Sequence, residues 1–364
     1  MSQDFFPERN VLWELMSLIN TGRVFSDVHI EQDMPIMIKT PRGWVETSPE
    51  PVELRDMVPV LESIDEDWED KIITAAIDRS RALTNCRLRC NAYRLASGEK
   101  VAISIRKLPL HPLPIEKTGL PLYVKTMLEA TKGIILVTGP TGSGKTTTIA
   151  SMLQHLNTHR NGHIVTIEEP IEYILERNLS IISQKEVPTD TESFASGLRE
   201  GLRQKPDVLM LGEIRDFNAA DTVLHAGESG HLMMATMHTN SALGAISKFL
   251  SFFPSNEYSQ RSAALANSLV GVIYQNLLPS EDGESFVLAS EMIFNQNQQV
   301  APFISDPGKL HMITDFIKRK EDNLSRGLNE VLAKMVSKNQ VSSKDAMRAT
   351  YNRLELHEMM NSPR

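Results

Sequence analysis

Beyond residue 118 the chain alternates short apolar runs with helix-forming stretches. Gly133–Thr138, His163–Ile167, Asp207–Leu211 and Leu232–Thr236 are apolar at most positions, as expected for strands buried on both faces of a parallel sheet. From about residue 256 the pattern turns mainly helical, with one strand-like interruption at Ser285–Ala289. The beginning of the chain is patterned differently. Asp27–Ile30 and Pro35–Lys39 alternate like half-buried strands, while Val52–Ala82 carries helical periodicity with few breakers. Between the two regions, Leu108–Pro114 holds three prolines in seven residues, each removing a backbone donor and disfavouring helix before it. The pattern predicts an α/β protein with a smaller α+β N-terminal domain (residues 1–107), a linker (108–118) and a larger domain (119–364). No internal repeat or low-complexity segment interrupts it.

Composition supports this division and narrows the setting. A length of 364 residues exceeds one ordinary hydrophobic core. With 41% hydrophobic and 23% charged residues the chain reads as globular. No apolar run approaches the roughly 18–20 residues needed to cross a bilayer, and Met1–Arg9 lacks a signal-peptide pattern, so a cytoplasmic protein is expected. The net charge of −8 lacks the broad basic field of a nucleic-acid binder. Cys86 and Cys90 fall on the apolar face of a predicted strand, Cys86–Tyr93. At ~3.3 Å per residue they lie about 13 Å apart, too far for a disulfide. Two cysteines without a nearby histidine pair also make no zinc site.

Residues 139–146 read Gly-Pro-Thr-Gly-Ser-Gly-Lys-Thr, a complete Walker A loop between the strand Ile134–Val137 and a helix-forming stretch from Thr147. A strand feeding a helix through such a loop points backbone N–H groups into one concavity suited to phosphates. Gly139, Gly142 and Gly144 permit close backbone approach. Lys145 is expected on the β/γ-phosphates and Thr146 on Mg²⁺, with Pro140, Thr141, Ser143 and Thr147 completing the nucleotide-binding set. The loop predicts binding of a nucleoside triphosphate.

Three further segments place polar chemistry at strand ends. Asp207–Glu213 is an apolar strand ending in an acid, and its Glu213 would either hold the Mg²⁺ shell or orient water. Ile164–Glu172 likewise ends in carboxylates, of which Glu168 is the choice for activating the attacking water. In Glu228–Asn240 two histidines, His231 and His238, flank an apolar strand. An isolated histidine is as readily structural, but His238 beside Thr239 is placed to sense a γ-phosphate.

The order of these motifs resembles the secretion-ATPase superfamily, the hexameric motors of type IV pili, type II secretion and type IV secretion. The resemblance rests on the Walker A loop, Thr166–Glu172 as an "Asp box", Leu198-Arg199-x-x-Leu202-Arg203-x-x-Pro206-Asp207, Gly212–Asp216, and a "His box" of Gly230-His231 with Thr236-x-His238-Thr239. Short length, a single N-terminal domain and no tetracysteine insert point to the pilus-retraction branch, PilT and PilU, as does Ser26–Ile30. The resemblance implies a PAS-like N-terminal domain joined to a RecA-like ATPase core, ATP as substrate and Mg²⁺ as cofactor. It assigns Glu168, Glu213, His231 and His238 to catalysis, and Thr146, Glu213 and Glu169 to the metal. It also implies that Arg87, Arg89 and Arg106 reach the nucleotide from the N-terminal domain, although arginines on an exposed strand face need no special cause.

As partners the resemblance implies a homo-hexamer, an inner-membrane platform protein and a paralogous motor ATPase. The protein would then associate peripherally with the inner membrane. One departure stands out: PilT-type motors carry Ala-Ile-Arg-Asn-Leu-Ile-Arg-Glu where this chain reads Gln299–Asp306, without either arginine and with a proline. That favours an accessory PilU-like motor or a relative of the DotB/TraJ ATPases. A nucleotide-gated adaptor with little turnover is the alternative of another class, against which Glu168 and Glu213 argue. A nucleic-acid translocase would need a basic channel.

Overall fold

The computed structural model describes residues 9–361, so residues 1–8 of the stretch without a signal-peptide pattern lie outside it. The described residues form two compact units. One runs to Leu110 and includes Asp282–Ser285; the other comprises His111–Glu281 and the chain from Phe286 onward.

The first unit is a six-stranded antiparallel sheet covered by three helices. Its strands are β1 (Asp27–Glu31), β2 (Met37–Thr40), β3 (Gly43–Glu46), β4 (Ile77–Ala82), β5 (Cys86–Leu95) and β6 (Lys100–Pro109), ordered β3-β2-β1-β6-β5-β4. Helices α1 (Val11–Asn20), α2 (Leu54–Ile64) and α3 (Trp68–Thr74) share its core with the inward residues Ile30, Ile38 and Ile103. The helical expectation for Val52–Ala82 is corrected twice. After α2 the buried carboxylate of Asp65 accepts hydrogen bonds from the Asp67 N–H at 3.1 Å and the Lys71 ammonium at 2.7 Å, and a separate helix, α3, begins at Trp68. Ile77–Ala82 is a strand because it pairs with β5. Only Ile77 of that strand is buried, so it carries almost no apolar alternation.

Leu108 and Pro109, the first residues of the proline-rich segment, are the last residues of β6. Proline is tolerated at a strand end where its missing donor breaks little of the ladder. Cys86 and Cys90 point into the core as their alternation predicts, and burial pushes the Cys90 thiol up to about 11. Burial also raises Cys86. Neither thiol is expected to react with Ellman's reagent at pH 8 in the folded protein, whereas both react in denaturant; rapid modification of the folded chain would contradict the buried placement.

The second unit is built on seven strands: β7 (Gly133–Thr138), β8 (His163–Glu168), β9 (Ile181–Glu186), β10 (Val208–Leu211), β11 (Leu232–Met237), β12 (Leu269–Pro279) and β13 (Phe286–Phe294). Their order is β13-β12-β7-β11-β10-β8-β9, with all neighbours parallel except the β12–β13 hairpin. Successive residues of β7 feed different cores. Ile134 and Leu136 pack with α5 (Phe194–Leu202), α6 (Phe217–Glu228), α7 (Ala242–Leu250) and α8 (Tyr258–Ser268), while Ile135 and Val137 pack with α4 (Lys145–His159). Both faces are therefore buried, which explains the uninterrupted apolar runs.

Beyond the hairpin, α9 (Ala301–Ser305), α10 (Met312–Lys318), α11 (Leu328–Ser337), α12 (Ser343–Ala349) and α13 (Arg353–Asn361) complete the unit. The mainly helical expectation from about residue 256 thus missed β12 and all but the start of β13. Leu269–Leu278 follows α8 with no turn residue between them, so its apolar run reads as more helix. Pro302 falls in the first turn of α9, where proline costs no helical hydrogen bond. Among the described residues no helix is long and apolar enough to cross a membrane.

Candidate active site

The parallel strands deliver their C-terminal ends to one edge of the sheet, and the phosphate loop lies at the end of β7. Gly139, Gly142 and Gly144 all have positive φ, at 148°, 79° and 84°. Gly139 has a second constraint, since a Cβ there would stand 2.2 Å from the Gln275 carbonyl oxygen on β12. The Gln275 side chain also donates from Nε2 to the Ser143 carbonyl at 2.7 Å. Two ends of the loop are thereby held against one residue of the neighbouring strand.

Lys145 opens α4 and turns its ammonium back into the loop, donating to the carbonyls of Gly139 and Pro140 at 3.0 Å each. Burial lowers its pKa, opposed by the negative charges of Glu213 and Glu172. His238, one residue past β11, stands between Lys145 and Glu213. Its Nδ1 is 3.4 Å from Lys145 Nζ and its Nε2 is 3.4 Å from Glu213 Oε1. A ring protonated on Nε2 satisfies both contacts, accepting from the lysine and donating to the carboxylate.

Glu213 also accepts from Arg215 Nε at 2.8 Å, and Arg215 Nη1 reaches Glu169 at 2.7 Å. One guanidinium therefore compensates the acids at the ends of β8 and β10. Thr236 beneath them donates to the Gly212 carbonyl, tying β11 to the turn that carries Glu213.

Glu168 is unlike the other acids. It is 6% exposed, and its Oε1 accepts from Thr166 Oγ1 at 2.7 Å and Gln184 Nε2 at 3.1 Å. Burial, aided by the nearby charge of Glu172, pushes its carboxyl up to about 7, against the opposing pull of those hydrogen bonds. A carboxyl that exchanges its proton near neutrality suits a general base.

Not every expected residue joins this edge. His231 precedes β11, where its carbonyl accepts from the Gly133 N–H at 3.0 Å and its ring meets Ser229 at 3.3 Å. It therefore lies at the opposite end of β7 and β11, about 20 Å from the phosphate loop at ~3.3 Å per residue. Within this unit it is therefore not brought together with Lys145, Glu168, Glu213 and His238, because a parallel strand cannot present both ends to the same edge. Arg87, Arg89 and Arg106 lie on β5 and β6 of the other unit. There Arg89 is the cross-strand neighbour of Arg106 and pairs with Asp78 at 3.2 Å, and Arg106 pairs with Asp27 at 3.0 Å.

Sequence reasoning gave no role to Gln184, Tyr173, Gln275 or Arg215. Arg215 stands two residues after Glu213 within Gly212–Asp216. The others are brought in by strand register or by a loop return, which no local pattern displays.

Residues 70–354 match the family described as type II/IV secretion system protein. The chain is 36% identical over 296 residues to the uncharacterized protein YggR of Escherichia coli K12, covering 80% of this chain and 88% of that one. It is 34% identical over 277 residues to a twitching motility protein of Neisseria gonorrhoeae, covering 76% and 73%. The crystal structure of the pilus retraction motor PilT with bound ADP superposes with a TM-score of 0.80 at 33% identity, covering 96% of this chain and all of that one. The chain belongs to the type II/IV secretion system protein family and is a P-loop ATPase of PilT-like fold.

Proposed function

We propose that the protein is a hexameric ATP-driven motor of a type IV pilus system, PilT- or PilU-like, which moves a platform protein of the inner membrane. The observation that carries this reading is the single sheet edge where a phosphate loop, a buried carboxylate poised near neutrality and a His238–Glu213–Arg215 network lie on neighbouring strand ends. The names of the gonococcal relative and of PilT supply the pilus context.

The loop N–H groups and Lys145 hold the phosphates, and Glu168 takes the proton of the attacking water. His238 exchanges its contact with Lys145 for one with the γ-phosphate. Magnesium, when bound, neutralises charge developing on the phosphate oxygens. Thr146, which follows Lys145 in the first turn of α4, and the carboxylate of Glu213 are hard oxygen donors of the kind that ion takes. Glu169 is the third candidate and shares Arg215 with Glu213. Among the described residues no cluster of three or more acids, histidines or cysteines forms a metal cage. An ion here would be held jointly by Thr146, Glu213 and phosphate oxygens, which is the usual habit of magnesium.

Deleting the gene in its own cells is expected to abolish twitching while leaving pili on the surface. The parental gene restores motility and Lys145→Ala does not. Unchanged motility together with lost secretion or conjugation would replace the pilus assignment by a DotB-like one, which the sequence at 299–306 would then accompany. Light scattering of the protein with a non-hydrolysable ATP analogue is expected to give six times the mass of one chain.

A further inference from the structure

Gln184 sits on β9, directly opposite Thr166 of β8 in the parallel register. Thr166 and Glu168 are two residues apart on one strand and share a face, so the Gln184 side chain rises on that same face. Its amide is used at both ends. Nε2 donates to Glu168 Oε1 at 3.1 Å and to the Tyr173 carbonyl at 2.9 Å, while Oε1 accepts the Leu175 N–H at 2.8 Å. The segment it grips returns to the phosphate-loop helix, where the Tyr173 hydroxyl meets Thr147 Oγ1 at 2.8 Å. Thr147 is the third residue of α4, directly after Lys145 and Thr146.

We propose that Gln184 is a positioning residue for ATP hydrolysis, fixing the orientation of the Glu168 carboxylate and joining it through residues 173–175 to the helix that carries the phosphate loop. The proposal rests on Glu168 being the group that takes the proton from water. Three hydrogen bonds to one planar amide leave it a single orientation, with the N–H side toward the acid. Thr166 Oγ1 donates to the same carboxylate oxygen, so Oε1 is engaged twice. A carboxylate free to rotate would present the correct oxygen only part of the time, and misplacement by about 1 Å costs on the order of 100-fold in rate. Because Gln184 touches neither nucleotide-loop residue directly, its loss is expected in turnover rather than in binding.

The test is a double-mutant cycle on the full chain. Gln184→Met preserves length and removes all three hydrogen bonds, while Gln184→Glu keeps the acceptor for Leu175 and replaces the donor to Glu168 and Tyr173 by a second carboxyl that repels Glu168. Single-turnover hydrolysis of radiolabelled ATP gives the rate, binding of a fluorescent ATP analogue gives the affinity, and thermal unfolding checks the fold. Each variant is expected to hydrolyse at least 10-fold more slowly than the parent with affinity unchanged within twofold. In a Glu168→Gln background the same changes are expected to lower the residual rate by less than twofold. Equal losses in both backgrounds, a loss confined to affinity, or a parental rate in Gln184→Glu would overturn the positioning role. Should Gln184→Met unfold, Gln184→Glu still decides. A parental rate in Glu168→Gln alone would instead remove the base assignment on which the proposal stands, and is read separately from the cycle.

Discussion

Glu168→Gln is expected to lower the rate of ATP hydrolysis by about 10²- to 10⁴-fold, the range lost with a general base, while leaving ATP bound. The amide keeps the size of the side chain and its acceptor for Thr166, so the site stays packed. What disappears is the group able to take a proton. In the parent the acid exchanges its proton at about pH 7, and only the ionised form is a base, so turnover should rise with pH through neutrality. The variant's residual rate should be flat across that range. A parental rate in the variant, or a parental rate already level at pH 5, would refute the role.

The same burial has a stability signature of opposite sense. The folded value lies above the ordinary 4.5, so the native state holds a proton that the unfolded chain releases between about pH 4.5 and 7. Its contribution is fully present below that window and is lost as pH rises through it, amounting to roughly 3 kcal/mol at ~1.36 kcal/mol per unit. Urea unfolding at pH 5 and pH 8 should therefore show Glu168→Gln gaining on the parent at the higher pH. Stability and catalysis pull this residue in opposite directions, as is common where a site keeps a buried ionisable group.

Gly139→Ala is the second large expected effect, and its comparison with Gly142→Ala separates two causes. Both residues have positive φ, which costs a Cβ-bearing residue roughly 1–2 kcal/mol. Around Gly142 an added methyl meets nothing within 4 Å, whereas at Gly139 it meets the Gln275 carbonyl oxygen at 2.2 Å and Ser143 Oγ at 2.7 Å. The carbonyl belongs to β12, paired on both sides, so the loop must move instead. Overpacking of this kind adds about 1–3 kcal/mol. Gly139→Ala should be destabilised by about 2–5 kcal/mol in all and should bind the ATP analogue too weakly to saturate. Gly142→Ala should lose about 1–2 kcal/mol. Equal melting temperatures and affinities for the two variants would show that the contact with Gln275 does not shape the loop.

The parts of the site that were legible in the sequence are those whose neighbours in space are neighbours in the chain. The phosphate loop follows β7 directly, and Glu168, Glu213 and His238 each lie within two residues of a strand end, so an apolar run followed by a polar residue was enough to locate them. Gln184 was invisible because its role depends on standing opposite Thr166, and register has no local signature. His231 is close to His238 in the motif, and strand direction carries it to the far end of β11. The fold divides similarly. The strands β7, β8, β10 and β11, buried on both faces, announced themselves, whereas β4 exists through pairing alone and β12, though equally buried over its first seven residues, hid behind the helix that precedes it.

Gln275 makes its bond to the loop across 132 residues of chain, and that distance has a meaning during synthesis. A ribosome completes all eight residues of the Walker motif long before it reaches β12, so the emerging chain carries the motif without the strand that shapes it. Pairing over such separations is slow compared with local helix formation. The capacity to hold nucleotide is therefore acquired late, when the hairpin leaves the exit tunnel and docks against β7, and a chain cut short before Gln275 has the letters of the loop without its form.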